Sequence, residues 1–263
     1  MWSFNISRML NYQIINKDPA VWKELQQYCA DILNDCGFDA ITEKSIVTVR
    51  GAVEVDVYAE KKGAYSNRVL CECKYWNSSV PQTIIHAFRT VVEDSGANQG
   101  IIISKTGFQK GSYEAARNAN IILFSWQEFQ EAFKMDYLHF VIDRNYKKGH
   151  ELRMKANTIL DIYNKHRHIL SHAEFKEFQL SREKYSDLLL CSFRESYEHL
   201  DTKEIIIAEV ERGMTTGMRD LGLVTSSLKD YFDYIFYKCQ EEMRKMNSML
   251  LLIEERLNQN VSE

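Results

Sequence analysis

Apolar residues between positions 19 and 134 follow two spacings in turn, the three-to-four-residue spacing of helices and the short runs of strands. The first helical stretch has a regular series of apolar positions: Trp22, Leu25, Cys29, Ile32, Leu33 and Cys36. Pro19 suits a first helical turn with Asp18 as its cap, and Gly37 suits the end of the helix. The pattern predicts a helix between these two signals.

The same reading predicts eight further elements. They are strands near 40–50, 53–60, 69–74, 100–103 and 121–124, and helices near 82–95, 109–118 and 126–134. The order is αβββαβαβα. The first three strands predict an antiparallel meander, and the αβαβ part supplies parallel crossover units. The expected fold is therefore α/β, a mixed sheet flanked by helices.

From about residue 140 the strand signal largely disappears. Helices are expected near 146–178, 181–200 and 203–213, followed by a bend at 213–222 and a last helix from about Thr225. Its apolar positions alternate steps of four and three as far as Ile253, with Glu242 at one seam position: Leu228, Phe232, Ile235, Cys239, Met246, Met249, Ile253 and Leu257. This spacing predicts a helical hairpin or a coiled-coil seam. We expect an α/β domain at 1–140 and an all-helical domain at 141–263.

Composition is that of a soluble globular protein, with 45% hydrophobic and 27% charged residues in 263. No apolar run approaches the roughly 20 residues that cross a bilayer, and the N-terminus lacks a secretory pattern. The 6 cysteines are scattered without a disulfide framework. These features predict a cytoplasmic protein that does not enter a membrane.

The formal net charge of −4 does not favour tight non-specific binding of nucleic acid. A positive groove would have to be local. The residues that could form one are Arg50, Lys74, Arg89, Lys105 and Lys110.

Charged residues near the ends of two apolar strands are the main candidates for a functional site. Asp56 lies in the apolar run 53–57, and Glu72 and Lys74 share one face of the run 69–74 because strand side chains alternate. An unpaired charge is costly to bury, so these residues need a partner or a function. One interpretation is a salt bridge with a purely structural role.

The other interpretation is a hydrolytic site for a phosphodiester. Mg²⁺ prefers oxygen ligands, which Asp56, Glu72 and the main-chain carbonyl of Cys73 could supply. The metal would activate a water molecule and neutralise charge on phosphorus. Lys74 would orient the water or stabilise developing charge as a cation, not as a base.

In this context the sequence resembles the PD-(D/E)xK nuclease superfamily, in particular its Mrr-like restriction endonuclease catalytic domain, over roughly residues 20–134. The matching segments are 53–57 with Asp56, 71–74 with Glu72 and Lys74, Val80, Phe88, 100–104, 106–108, Ala115, Ala116 and 121–124. The resemblance implies a restriction-endonuclease-like core and an Mg²⁺-dependent endodeoxyribonuclease, with Mn²⁺ as a possible substitute. It also implies a role in bacterial defence against foreign DNA, and products with 5′-phosphate and 3′-hydroxyl ends.

The chain departs from the family pattern in three respects. Val55 stands where a proline often precedes the aspartate, and no DNA-reading winged-helix module is evident. Relatives commonly carry an acidic residue on the first helix, for which Glu24 is the nearest candidate. The helical region is expected to form a homodimer, since two symmetry-related sites cut both strands readily, or to couple the nuclease to a sensor or defence partner.

Two cysteine side chains and two further lysines carry less specific predictions. Cys71 and Cys73 are expected to pack under helices on the face opposite Glu72. Lys105 and Lys110 flank a strand-to-helix turn that could hold a phosphate.

Two rival functions stay open. Arg167 and His172 have the R-x4-H spacing of HEPN ribonucleases, which predicts an RNase, although His166, His168 and His172 also suit a solvated helical face. The second rival is a catalytically silent nuclease fold that serves as a binding or assembly module.

Overall fold

The computed structural model describes residues 12–63, 66–191, 203–220 and 222–261. Gln13–Phe140 forms one compact unit, and Val141–Glu263 belongs to a second. None of the helices within the described ranges is long and apolar enough to cross a membrane.

The α/β unit contains five strands and the helices that connect them. In chain order the elements are α1 (Trp22–Asn34), β1 (Asp39–Thr48), β2 (Gly51–Lys61), β3 (Asn67–Lys74), α2 (Gln82–Ser95), β4 (Gln99–Ser104), α3 (Lys110–Ala116), β5 (Ile121–Ser125) and the start of α4 (Trp126–Lys165). The first helix begins later than Pro19, because Val21 occupies its N-cap in an extended conformation.

The five strands form one mixed sheet in the spatial order β1-β2-β3-β4-β5. β1, β2 and β3 pair antiparallel, whereas β3 with β4 and β4 with β5 pair parallel. The parallel pairs are joined through α2 and α3, since a parallel connection needs a crossover. The mixed sheet that the sequence predicts is therefore present.

Apolar side chains cover both faces of the sheet. Ile85, Phe88 and Val92 of α2 pack in one buried cluster with Leu70 of β3 and Ile102 of β4. Alternation along β3 turns Cys71 and Cys73 to the face opposite Leu70 and Glu72.

On that opposite face Cys73 meets α1, where its Sγ lies 3.9 Å from Sγ of Cys29. Both Cys71 and Cys73 are buried. The expectation that these two cysteines pack in the interior is confirmed. Burial raises the pKa of the Cys71 thiol well above its usual value, as an inert packed thiol requires.

Gly100 lies where β4 passes directly beneath α2 and beside β5. A Cβ atom there would be 2.5 Å from Cδ1 of Ile121 and 2.7 Å from Cγ2 of Val92, two buried side chains. We expect Gly100→Ala to lower the free energy of unfolding by about 1–3 kcal/mol, because the core would be overpacked. Urea denaturation followed by circular dichroism measures this loss.

Gly111→Ala is the matched control. Its added Cβ would meet the amide end of the flexible Gln82 side chain, and alanine is favoured in the helix α3. The control should be as stable as the parent chain. Equal stability of the Gly100→Ala variant would show that the layer over β4 is not tightly packed.

The helical unit contains α5 (His172–Cys191), α6 (Lys203–Asp220) and α7 (Leu228–Val261) besides the C-terminal part of α4. Its core cluster joins three of these helices with the turn before α5. The buried members are Leu152, Ala156, Ile159, Ile169, Leu170, Phe178, Met243, Met246 and Ile253. The apolar seam of the last helix therefore packs within its own chain.

Glu242, the polar residue in that seam, is 4% exposed. It accepts a hydrogen bond from the hydroxyl of Ser181 on α5, and its other oxygen is 2.7 Å from Nζ of Lys245. These partners satisfy the buried carboxylate, which would otherwise be costly.

The predicted boundaries of the helical region were partly wrong. One continuous helix, α4, covers 40 residues where a break after 134 was expected. The predicted helix 146–178 is interrupted, because Ser171 and Glu174 form a capping box that starts α5: the amide of Ser171 donates to Glu174 and that of Glu174 to Oγ of Ser171. α6 continues through Gly213 to Asp220, so no bend begins at Gly213. The end of the predicted helix 181–200 lies outside the described residues.

Candidate active site

The candidate site lies where β2 and β3 separate. Their antiparallel ladder ends with Val57 opposite Cys71. Beyond this pair the amide of Cys73 donates to Oδ2 of Asp56 at 2.7 Å, in place of a carbonyl of β2. Asp56 thereby fills the opening between the two strands.

The second oxygen of Asp56 is held from the first helix. Nε2 of Gln26 on α1 donates to Oδ1 of Asp56 at 2.7 Å. Gln26 is only 5% exposed, so its amide is fixed by the packing of α1. Each carboxylate oxygen has two acceptor sites, and so Asp56 keeps capacity for a further ligand on both oxygens.

Glu72 and Lys74 form an ion pair at the end of β3, between Nζ of Lys74 and Oε1 of Glu72. Their side chains are 22% and 15% exposed. Burial raises the pKa of the Glu72 carboxyl, and the charge of Asp56 raises it further, whereas the hydrogen bond and charge of Lys74 lower it. Burial is the larger of the two causes that raise this pKa, and repulsion between two carboxylates at one site acts in the same direction.

This set of residues fits a hard divalent cation. In a strand the N–H and C=O of one residue face the same neighbour, so the carbonyl of Cys73 faces the same opening as its amide. Two carboxylates and one main-chain oxygen, completed by water and substrate, are ligands that suit Mg²⁺. Among the described residues, no group of three or more His, Cys, Asp or Glu side chains is arranged to hold a metal. Any cation here would therefore rely on oxygens beyond the two carboxylates.

Gln26 is a contact of Asp56 that the sequence pattern did not predict. Glu24 was the candidate on the first helix, but its carboxylate accepts the amide of Ala20 at 2.7 Å and pairs with Lys17 at 3.2 Å. These partners lower the pKa of the Glu24 carboxyl. They hold Glu24 at the start of α1, where it contacts Ala20 and Lys17. The available signal was one polar residue on a helical face that is otherwise apolar, next to Leu25 and Cys29.

The two lysines of the β4–α3 turn have different positions. The amide of Lys105 donates to the carbonyl of Lys74 at 3.0 Å, which places Lys105 beside the end of β3. Its ammonium is bonded to Oδ1 of Asn77 at 3.0 Å. Lys110 begins the short helix α3 and is exposed. Of these two lysines, Lys105 is the one that a hydrogen bond holds next to the candidate site.

Arg167 and His172 do not lie on a shared helix. α4 ends at Lys165 and α5 begins at His172, so the R-x4-H spacing spans the turn between two helices. Arg167, His168 and His172 are all exposed. Both readings of this segment, a ribonuclease motif on a helix and a solvated helical face, predicted one continuous helix here. That prediction was wrong, because residues 166–171 form a turn between α4 and α5.

Comparison with known proteins gives a family match within the α/β unit. A family model described as restriction endonuclease, Mrr_cat, matches residues 18–133. This range contains Gln26, Asp56, Glu72 and Lys74. No curated protein matches the chain.

Two solved structures align with low similarity. A crystal structure of a protein of unknown function, AF1548, has a TM-score of 0.36 and 19% identity, over 74% of this chain and 98% of that chain. The cryo-electron microscopy structure of a DrdV–DNA complex has a TM-score of 0.25 and 12% identity, over 84% of this chain and 24% of that chain.

Proposed function

Residues 18–133 belong to the Mrr_cat restriction endonuclease family, and from that premise we propose that the protein is a metal-dependent endonuclease that hydrolyses DNA phosphodiester bonds. The observation that supports this best is the fixation of Asp56. Gln26 and the amide of Cys73 orient both of its oxygens next to the Glu72–Lys74 pair. A salt bridge with only a structural role would not require a carboxylate held from two elements at the point where two strands separate.

In this proposal Asp56, Glu72 and the carbonyl of Cys73 hold Mg²⁺, with Mn²⁺ as a substitute. When bound, the cation lowers the pKa of a water molecule and neutralises charge on the phosphate. Lys74, positioned by Glu72, stabilises the charge that develops on the phosphate oxygens. Attack of the water oxygen on phosphorus breaks the bond to the 3′ oxygen, which takes up a proton, and leaves 5′-phosphate and 3′-hydroxyl ends.

A role in defence against foreign DNA and a homodimer through residues 141–263 are finer parts of this proposal. Two related sites would allow both strands of a duplex to be cut. Because the apolar seam of α7 is buried within its own chain, a dimer contact has to use other surfaces of the helical region. A sensor or defence partner would compete for those same surfaces.

The test uses the full chain with supercoiled plasmid in unmodified, adenine-methylated and cytosine-methylated forms, and with a defined RNA. Each substrate is incubated with Mg²⁺, Mn²⁺ or EDTA, and products are resolved on gels. We expect nicked or linear DNA with metal, intact DNA in EDTA, and ends that DNA ligase rejoins. Absence of cleavage of every plasmid with either metal, or equal cleavage in EDTA, would refute the proposal.

The same assay separates the rival functions. A silent nuclease fold would bind DNA but leave it intact under all conditions. An RNase that uses the R-x4-H motif would cleave RNA without metal and lose this activity in His172→Ala. The exposed turn that carries Arg167 and His172 gives that rival no enclosed site.

A further inference from the structure

The loop between β3 and α2 is fixed by hydrogen bonds from two other segments. The hydroxyl of Tyr75 donates to the carbonyl of Ala20 at 2.9 Å, just before α1. From the β4–α3 turn, Lys105 bonds to Asn77 at 3.0 Å and Oγ1 of Thr106 donates to the carbonyl of Ser78 at 2.8 Å. A loop held in this way is pre-organised, so its exposed side chains need little ordering when they bind.

Trp76 is the large apolar side chain that this loop presents to solvent. It is 39% exposed, and its neighbours Tyr75 and Asn77 are both engaged. The core cluster beneath α2 is built without the indole ring. The exposed part of the indole is therefore available to a ligand.

The position of the ring relative to the proposed catalytic lysine indicates what it could contact. Nζ of Lys74 lies 5.4 Å from the centroid of the Trp76 ring, and Nζ of Lys105 lies 4.2 Å from that of Tyr75. Two cations, each beside an aromatic ring, suit a nucleic-acid strand, because its phosphates attract cations and its bases stack on aromatic rings. A cation next to an aromatic face is also favourable before any ligand binds.

We propose that Trp76 stacks on the nucleobase that flanks the scissile phosphate. This deepens the proposed function, on which it rests, because it places the phosphate at Lys74 and the attached base at the neighbouring ring. A base inside a duplex is stacked on both sides, and only a base removed from the stack offers its face to the indole. The substrate class that fits is DNA with an unpaired base at the cleavage position, such as single strands, bubbles and hairpin loops.

Binding in EDTA tests the stacking without any cleavage. The full chain is titrated against a fluorescein-labelled 16-nucleotide single strand of mixed sequence, the same strand in a duplex, and a duplex with a central five-base bubble. Fluorescence anisotropy gives the dissociation constants. The variants are Trp76→Ala, Trp76→Phe and, as a control that removes another exposed aromatic side chain, Tyr237→Ala on α7.

We expect Trp76→Ala to weaken binding of the single strand and the bubble by at least about fivefold, which is the lower range for loss of one stacked base. Binding of the duplex should change less than about twofold. Trp76→Phe should retain most of the affinity because it keeps an aromatic face, and Tyr237→Ala should match the parent chain. Far-ultraviolet circular dichroism confirms that each variant is folded.

Equal weakening for the duplex and the unpaired substrates would overturn the inference, as would unchanged affinity of Trp76→Ala for all of them. The metal-dependent plasmid assay reports separately on the proposed function. Cleavage by the parent chain together with a negative stacking result would leave the nuclease proposal intact and remove only the role of Trp76. A positive stacking result without cleavage of any DNA would remove the nuclease proposal, and with it the placement of the stacked base next to a scissile phosphate.

Discussion

Lys74→Ala should reduce metal-dependent DNA cleavage by roughly 10²–10³-fold, the loss typical when a pre-organised electrostatic contact to the transition state is removed. The ammonium of Lys74 is held by Glu72 in a half-buried position where its charge is poorly screened by solvent. Single-turnover cleavage of plasmid at saturating Mg²⁺ measures the chemical step. The fold should persist, because Lys74 ends β3 and its backbone bond to Lys105 does not need the side chain.

Lys110→Ala is the matched control, since it removes another lysine of the same unit from an exposed position at the start of α3. This variant should cleave within about threefold of the parent chain. Similar losses in both variants would mean that general positive charge, and not the position of Lys74, supports activity. An unchanged rate for Lys74→Ala alone would remove Lys74 from the mechanism.

The pH dependence of the residual activity gives an independent test of the same contact. Burial and Asp56 raise the pKa of Glu72, and Lys74 lowers it. Removing Lys74 therefore raises the pKa of Glu72 further. Because protons and cations compete for this carboxylate, the acid limb of the pH–rate profile should move to higher pH in Lys74→Ala. A shift to lower pH would contradict the electrostatic assignment.

The parts of the site that the sequence predicted are those within single strands. The runs that contain Asp56, Glu72 and Lys74 show their apolar alternation directly, and the helices between β3, β4 and β5 show their own spacing, so the mixed sheet followed from local patterns. The choice of these three residues as the candidate site also used the family resemblance. Gln26 did not follow, because its role depends on how α1 crosses the sheet. That is a tertiary relation between residues 30 positions apart.

In the helical region, local patterns predicted the helices but misplaced several of their boundaries. Residues 135–145 carry helix-compatible apolar positions without glycine or proline, yet α4 was expected to break there. Ser171 followed by Glu174 is a local sequence signal for a helix start, and it marks the beginning of α5. The apolar spacing on both sides of it nevertheless predicts one continuous helix. The two glycines that bound 213–222 predict a bend there, but α6 continues to Asp220 because a glycine inside a helix costs only about 1 kcal/mol, which packing readily offsets.

Asp56→Asn should abolish measurable cleavage, a loss above roughly 10²-fold, while the protein stays folded. The asparagine oxygen would still accept the amide of Cys73, and its NH₂ group would donate to Gln26 once the Gln26 amide turns over. We therefore expect the free energy of unfolding to change by less than about 1 kcal/mol. The charge that holds a divalent cation would nevertheless be gone, and raising the Mg²⁺ concentration should not restore activity.

Gln26→Ala separates orientation of Asp56 from its charge. The carboxylate would remain but lose one of its two restraints, and such loss of an outer partner typically reduces metal affinity or activity by 10–100-fold. Higher Mg²⁺ or Mn²⁺ should partly restore cleavage in this variant, in contrast to Asp56→Asn. Isothermal titration calorimetry of Mg²⁺ on both variants would measure the difference directly. If Asp56→Asn bound Mg²⁺ like the parent chain, the cation would have to be held elsewhere, and Asp56 would serve only to join α1 to the end of β3.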